Sequence, residues 1–87
     1  MHYINLNKLL KKPLYVQLAD SIENAYNNKL LKNGDLLPTE KEICESFDVS
    51  TSVVKYAYKN LIDKGIVRRQ VGRGTFIWDE TVNVLDA

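Results

Sequence analysis

The sequence predicts an α+β domain in which three helices precede a β-hairpin, and three observations support this. Hydrophobic residues recur at helical spacing in three stretches, residues 13–28, 40–47 and 51–64. The period then shortens from about 3.6 to about 2 over residues 66–78, which is typical of two short strands. A glycine-flanked turn, residues 72–74, divides these strands. A chain of 87 residues builds one modest core, so we expect a single folded domain.

The first helix is predicted to begin at Pro13, because proline suits the first helical position, where its missing N–H costs nothing. Asn33-Gly34-Asp35 then breaks the helical period. Leu36-Leu37 comes before Pro38, and a residue that precedes proline avoids the helical region. A very short first strand is therefore predicted there.

Helices two and three are predicted to be joined by a very tight turn. Thr39-Glu40-Lys41-Glu42 has the pattern of a capping box, which starts the second helix directly after its threonine. Ser50 is a good N-cap for the third helix, so Asp48-Val49 is all that remains for the turn. Gly65 follows the third helix, at a position where a left-handed conformation is usual. This arrangement is a helix-turn-helix.

The hairpin at residues 66–78, which we call the wing, completes a winged helix-turn-helix. Glycines on both sides of Arg73 allow a sharp bend, and we expect this arginine to project with little around it. Arg68 and Arg69 are consecutive in a strand, so they point to opposite faces and at most one shares the side of Arg73.

Three segments follow from these assignments. Residues 1–12 are predicted as an N-terminal extension, and residues 13–78 as the winged helix-turn-helix domain. Residues 79–87 are acidic and show no capping signal, so they are predicted as the start of a linker or a disordered tail.

Composition argues against several functional classes. No apolar run approaches the roughly 18 residues of a membrane span, and the N-terminus lacks the order of a secretory signal, so we expect a cytoplasmic protein with no membrane partner. Cys44 is the single cysteine and His2 the single histidine. A disulfide framework, a metal site and a Ser-His or Cys-His pair each lack a necessary member. We therefore predict no enzyme activity, no catalytic residues, no metal and no cofactor.

Charge is distributed unevenly although the net charge is only +1. Residues 50–78 hold three lysines and three arginines against one acid, Asp63, whereas residues 13–49 are acidic overall. A local positive field attracts polyanions even when the whole molecule is nearly neutral.

The third helix has the composition of a DNA-reading helix. Its apolar stripe is predicted to face inward and consists of Val54, Ala57, Tyr58, Leu61 and Ile62. Thr51 and Ser52 are short enough to reach base edges or phosphates in a major groove, and Val53 can meet a thymine methyl group. Lys55 and Lys59 can neutralise phosphate. Tyr56 is expected to cover helix two.

The run from Pro13 to Ile77 resembles the N-terminal winged helix-turn-helix domain of GntR-type bacterial transcription regulators. The resemblance is carried by PLYVQLADSI, NGDLLPTEKEI, DVSTSVVKYAYKNLIDKGIVRR and VGRGTFI. These residues are most similar to those of the HutC or YtrA branch. It implies a DNA-binding regulator and a repressor, with helix 51–64 in the major groove and wing 66–78 on the minor groove or backbone.

The resemblance also implies contacts at three places, namely the start of helix two, the start of helix three and the wing tip. The matching positions are Glu40, Lys41, Ser50, Thr51, Ser52, Val53, Lys55, Val71, Gly72 and Arg73. Three positions where the family usually has arginine hold Lys41, Thr51 and Lys55, and lysine cannot fork across guanine as arginine does. An operator richer in A·T is therefore expected.

The expected partner is double-stranded operator DNA, bound by a homodimer. Family members bind effectors through a C-terminal region, which does not occur in these 87 residues. The alternative reading, from another functional class, is a winged helix used for protein contacts, with the basic wing on an acidic partner.

Overall fold

The structure is a computed structural model that describes the backbone of residues 1–85 and the side chains of residues 1–82. It confirms an α+β fold in which helices precede a two-stranded antiparallel sheet. In the sheet, Val67 lies opposite Ile77 and Gln70 opposite Gly74. The elements in chain order are α1 Leu14–Asn27, α2 Glu40–Phe47, α3 Thr51–Asp63, β1 Val67–Gln70, β2 Gly74–Ile77 and α4 Glu80–Leu85.

The predicted helix limits differ from the observed ones by a single residue. Pro13 has φ −56° and ψ 144°, so it is the N-cap of α1 rather than its first helical residue. Lys64 is the C-cap of α3 rather than its last residue. The predicted very short strand is a single bridge between Leu36 and Phe76, reinforced by the Leu37 N–H, which donates to the Thr75 carbonyl at 2.8 Å.

The hydrophobic core lies between α1 and α3 and is closed by α2 and by one face of the wing. Its largest fully buried side chains are Tyr58, Phe76, Leu18, Ile22, Ile43, Leu61, Ile77 and Val54. The Tyr58 hydroxyl donates to the carbonyl of Pro38, which fastens α3 to the loop before α2. Burial raises the pKa of Tyr58, so the phenol remains a donor.

The capping box forms as predicted. The Thr39 hydroxyl accepts the Glu42 N–H at 3.2 Å, and the Glu42 carboxylate accepts the Thr39 N–H at 3.0 Å. Hydrogen bonding from Thr39 lowers the pKa of Glu42. At the other end of α2, Asp48 adopts the left-handed conformation, with φ 53°. Asp tolerates this region better than most residues, which explains how so short a turn is made.

The packed unit extends beyond residues 13–78 on both sides. Ile4 is buried in the core. After the wing, residues 80–85 form the short helix α4, in a segment that the sequence predicted as the start of a linker or a disordered tail. Residues 86 and 87 lie outside the described part of the chain. Asp79 precedes α4 and accepts the Thr81 N–H at 3.0 Å in the manner of an N-cap, so the sequence does contain a capping residue at this point.

Asp79 also joins α4 to the body of the domain. The Tyr26 hydroxyl on α1 donates to its carboxylate at 2.7 Å, and its own N–H donates to the Asn33 side chain at 2.8 Å. Hydrogen bonds from the Thr81 side chain and then from Tyr26 lower the pKa of Asp79. The carboxylate is therefore preferred in its charged form in the folded protein.

We expect Thr39→Ala to lower the free energy of unfolding by about 1 kcal/mol, because it removes the hydroxyl that caps α2. Urea denaturation followed by circular dichroism measures the change. Ser46→Ala, on the exposed surface of the same helix, is the matched control and should stay within about 0.5 kcal/mol of the wild type. Equal effects from the two substitutions would contradict the capping role.

We expect Asp79→Asn to reduce the loss of stability in acid. A carboxyl whose pKa is lowered on folding stabilises the protein above its unfolded pKa, and that stability is lost as pH falls through the folded pKa. As the pH falls below about 5, the midpoint temperature of thermal unfolding should therefore decrease more steeply for the wild type than for the variant. Tyr26→Phe removes one donor to this carboxylate, so its unfolding temperature should depend on pH to an intermediate degree. The same pH dependence in wild type and Asp79→Asn would show that ionisation of Asp79 does not stabilise the fold.

Candidate nucleic-acid interface

One side of α3 is exposed because the opposite side fills the core. Val54, Ala57, Tyr58 and Leu61 are buried and Ile62 packs partly against them, as predicted. We call the exposed side the recognition face, and it consists of Thr51, Ser52, Lys55, Tyr56 and Lys59. The position predicted to meet a thymine methyl group, Val53, is instead half-buried and packs against the core.

The first turn of α3 leaves its polar groups available. Ser50 occupies the N-cap position, but its side chain makes no capping hydrogen bond; only its carbonyl is used, which accepts the Val53 N–H at 3.2 Å. The Ser50 hydroxyl and the adjacent Thr51 and Ser52 are exposed together at the start of the helix. Uncapped N–H groups at a helix start favour anions.

The two lysines of the recognition face differ in their surroundings. Lys59 pairs with Asp63 one turn further along α3, at 3.0 Å, and both side chains are well exposed. Lys55 has no acidic partner among the residues that the structure describes. Lys55 is therefore the cation that α3 presents without a competing internal charge.

Tyr56 does not cover helix two as expected. The residue is 62% exposed, and its ring faces that of Tyr15 at the start of α1, with 6.0 Å between the ring centroids. The side of α3 that carries Tyr56 therefore faces α1.

The side chain of Arg73 does not project freely, which corrects the sequence prediction. Its guanidinium lies 3.9 Å from the centre of the Phe76 ring and donates to the Gly34 carbonyl at 3.1 Å. The outermost residue of the wing tip is Val71, which is fully exposed beside Gly72, whose φ is +85°. Gly72 has open space around it, so the left-handed turn rather than crowding requires glycine there.

A groove of about 590 Å³ separates the wing from the start of α2, and we call it the wing groove. Arg69 and Arg73 line it from the wing, while Glu40 lines it from α2. Arg68 points to the other face, where it pairs with Glu80 at 2.8 Å. The prediction that only one of Arg68 and Arg69 shares the side of Arg73 is confirmed.

The start of α2 borders this groove with residues of opposite charge. Glu40 is half-buried at the groove wall and Lys41 is exposed beside it. The predicted contact residues thus lie in three neighbouring places: the first turn of α2, the recognition face, and the wing.

The described residues hold no cluster of three or more His, Cys, Asp or Glu side chains placed to bind a metal ion. None of the helices in this part of the chain has the length and apolar character needed to cross a bilayer.

A tight helix-turn-helix with an exposed recognition face and a C-terminal hairpin defines a winged helix-turn-helix protein. Residues 14–77 match the family model described as "Bacterial regulatory proteins, gntR family". The chain belongs to this family, a family of regulators, which is the class that the sequence predicted in preference to an enzyme.

Curated relatives agree with this assignment. The chain is 35% identical over 74 residues to the HTH-type transcriptional repressor NagR of Bacillus subtilis, covering 85% of the chain and 30% of NagR. It is 40% identical over 72 residues to the mannosyl-D-glycerate transport/metabolism system repressor MngR of Escherichia coli, covering 83% of the chain and 30% of MngR. The chain therefore spans about a third of the length of these relatives.

Solved structures share the fold. YtrA from Sulfolobus acidocaldarius, a GntR-family transcription factor, superposes with a TM-score of 0.82 at 32% identity, covering 97% of this chain and 89% of YtrA. AraR(DBD) in complex with operator ORE1 superposes with a TM-score of 0.72 at 27% identity, covering 84% of this chain and 89% of that one. The similarity to YtrA agrees with the predicted branch.

Sequence reasoning left two cations out of the candidate site. Arg69 lies in the wing groove, and the alternation of the strand had already placed either it or Arg68 there. Lys8 reaches the turn between α2 and α3, where its ammonium donates to the Asp48 carbonyl at 2.6 Å. The cluster of lysines in residues 1–12 was the available signal for Lys8.

We expect Arg73→Gln to loosen the attachment of the wing, because it removes a cation–π contact and a hydrogen bond to Gly34. The Leu37 amide, which donates to β2, should exchange with solvent about fivefold faster, as follows from a loss of about 1 kcal/mol. Arg69→Gln removes the same charge from β1 and leaves the Gly34 and Phe76 contacts of Arg73 in place, so hydrogen-exchange mass spectrometry should show a smaller change. Equal exchange in both variants would exclude the role of the Phe76 stack.

Proposed function

We propose that the chain is the DNA-binding domain of a bacterial transcription regulator, that it binds double-stranded operator DNA, and that the regulator acts as a repressor. The recognition face is the observation that carries this proposal. It presents short polar side chains and Lys55, which has no acidic partner within the described side chains, at the exposed start of a helix whose opposite side is buried. The repressor names of NagR and MngR and the operator complex of AraR(DBD) support it.

In this proposal α3 occupies the major groove, which is wide enough to accept a helix. Thr51 and Ser52 contact base edges, and Ser50 contacts a phosphate. Lys55 neutralises phosphate, and Lys59 does so after exchanging its ion pair with Asp63. Val53 contributes mainly by supporting the first turn from the core side, with less of its surface available to a thymine methyl group.

The wing contacts the minor groove or the adjacent backbone. Val71 and Gly72 form its tip and approach the sugars, where a small apolar residue and a glycine permit a close contact. Arg73 contacts phosphate from the side of the wing. An arginine has five N–H donors, so the Gly34 carbonyl leaves donors of this guanidinium for DNA, and the Phe76 ring holds it in position.

The start of α2 contacts the backbone beside the wing groove. Lys41 is exposed and supplies a phosphate contact. Glu40 can accept a hydrogen bond from the exocyclic amine of cytosine, the base contact that suits a carboxylate. With lysine and threonine where arginine is usual, the operator should be richer in A·T.

Further properties belong to the whole regulator. We infer that it acts in the cytoplasm and binds DNA as a homodimer on half-sites about one helical turn apart. An effector would bind through a region outside these 87 residues. The alternative of a protein-binding winged helix is not favoured, because the family and the repressor names both indicate DNA.

We expect the 87-residue chain to enrich A·T-rich duplexes from a random pool, because α3 presents no arginine that could fork across guanine. Sequencing of the bound fraction gives the half-site and the spacing. Enrichment of G·C-rich half-sites would contradict the proposed reading, and failure to retain any duplex at low salt would exclude DNA binding.

We expect Lys55→Gln to reduce the salt dependence of DNA affinity by about one counterion, since each lost phosphate contact removes about 0.9 from the slope of log K against log salt. Fluorescence anisotropy with a labelled duplex measures the slope. Lys29 is an exposed lysine just after the C-terminal end of α1, and Lys29→Gln is the matched control that should leave the slope unchanged. An unchanged slope in Lys55→Gln would show that Lys55 contacts no phosphate.

A further inference from the structure

The N-terminal extension contains a well-defined turn that Gln17 attaches to α1. Gln17 is buried, and its amide N–H₂ donates to the carbonyls of Asn7 at 3.1 Å and Lys12 at 2.7 Å. Its side-chain oxygen accepts the Asn7 N–H at 2.7 Å. Three bonds from one buried amide fix the backbone between these residues, so residues 8–12 occupy a definite place beside α1.

Within this turn, Lys8 reaches the connection between α2 and α3. Its ammonium donates to the Asp48 carbonyl at 2.6 Å and lies 3.6 Å from the Asp48 carboxylate. That carboxylate is fully exposed just before the start of α3. Unpaired, it would repel a polyanion approaching Ser50 and Thr51, and the Lys8 charge offsets this repulsion.

Tyr15 and Tyr56 continue the same surface along α3. Both residues are exposed, at 37% and 62%, and they border a shallow groove of about 340 Å³ together with Lys59. Neither hydroxyl makes a hydrogen bond to any side chain or backbone group that the structure describes. We call Lys8, Tyr15 and Tyr56 the lysine–tyrosine flank.

The flank and the wing groove border α3 on different sides, and Tyr56 is the residue that the flank shares with the recognition face. Tyr56 faces α1, whereas Tyr58 lines the wing groove. Two residues apart on a helix correspond to a rotation of about 200°. Tyr15 therefore lies to one side of α3, and the wing groove with Arg69 and Arg73 lies to the other.

We propose that the lysine–tyrosine flank binds the second phosphate strand that borders the major groove, opposite the strand held by the wing. The inference rests on the proposed function, because the flank meets a phosphate strand only when α3 lies in the groove. Lys8 supplies the charge, and the tyrosine hydroxyls donate to phosphate oxygens. Such contacts fix the position of α3 on the duplex without reading bases.

The test uses the 87-residue chain and a labelled duplex of about 24 base pairs, long enough for two half-sites one helical turn apart. Lys8→Gln should lower the slope of log K against log salt by about one, and Lys29→Gln, the same charge change at the other end of α1, should not. A Lys8→Gln slope equal to that of Lys29→Gln overturns the flank.

A double variant separates phosphate contact from simple neutralisation of Asp48. If Lys8 only offsets that carboxylate, Lys8→Gln with Asp48→Asn restores the wild-type slope, which overturns the proposal. If Lys8 contacts phosphate, the double variant keeps the reduced slope. Asparagine tolerates the left-handed conformation at this position, so the turn between α2 and α3 is preserved.

The tyrosines are tested by Tyr15→Phe and Tyr56→Phe, which remove a hydroxyl but keep the ring contact. Each should weaken binding by about three- to tenfold with an unchanged salt slope, because a neutral donor to a charged oxygen is lost. Full affinity in both variants overturns the tyrosine contacts.

Lys55→Gln, measured in the same series, distinguishes a failure of the flank proposal from a failure of DNA binding as a whole. If the wild type shows no salt-dependent binding to any duplex, DNA binding fails and the flank fails with it. If the wild type binds and Lys55→Gln lowers the slope while Lys8→Gln does not, the flank alone is overturned.

Discussion

The packing of α3 against α1 is the contact on which the remaining geometry depends. Leu18 and Ile22 of α1 have no exposed surface, and neither do Val54 and Leu61 of α3. Because a helix turns about 100° per residue, burying this stripe decides which residues face outward. The Tyr58 hydroxyl then ties the same helix to the loop before α2, so the two helices of the helix-turn-helix keep a fixed relation. Core packing alone therefore determines which residues of α3 form the recognition face.

Local signals in the sequence were sufficient for the helices, and long-range contacts explain what they missed. The capping box and the short turn each involve residues within a few positions of one another, so the limits of α2 and α3 could be read to within one residue. Arg73 binds Gly34, 39 positions away, and Tyr26 binds Asp79, 53 positions away. No periodicity reports such pairs, which is why the hydrogen bond from Arg73 to Gly34 and the attachment of Asp79 to α1 could not be predicted from the sequence pattern.

The same distinction applies to the candidate site. Exposure of Thr51, Ser52 and Lys55 followed from the helical period alone. The half-burial of Val53 could not be read so simply, because it depends on how closely α1 and α2 approach the first turn of α3. Charge was the least predictable property: Lys59 has an internal partner, and Asp48 acquires one from Lys8, 40 positions earlier. The field around α3 is therefore set by tertiary pairing as much as by composition.

The anchoring of α4 has a mechanical consequence. Its first residue donates from Glu80 N–H to the Gly65 carbonyl at 2.8 Å, while Asp79 is held by both Tyr26 and Asn33. The helix thus leaves the wing in a direction set by α1 and by the end of α3. A domain that continued directly from α4 would therefore start at a place and in a direction fixed relative to the recognition face by these hydrogen bonds.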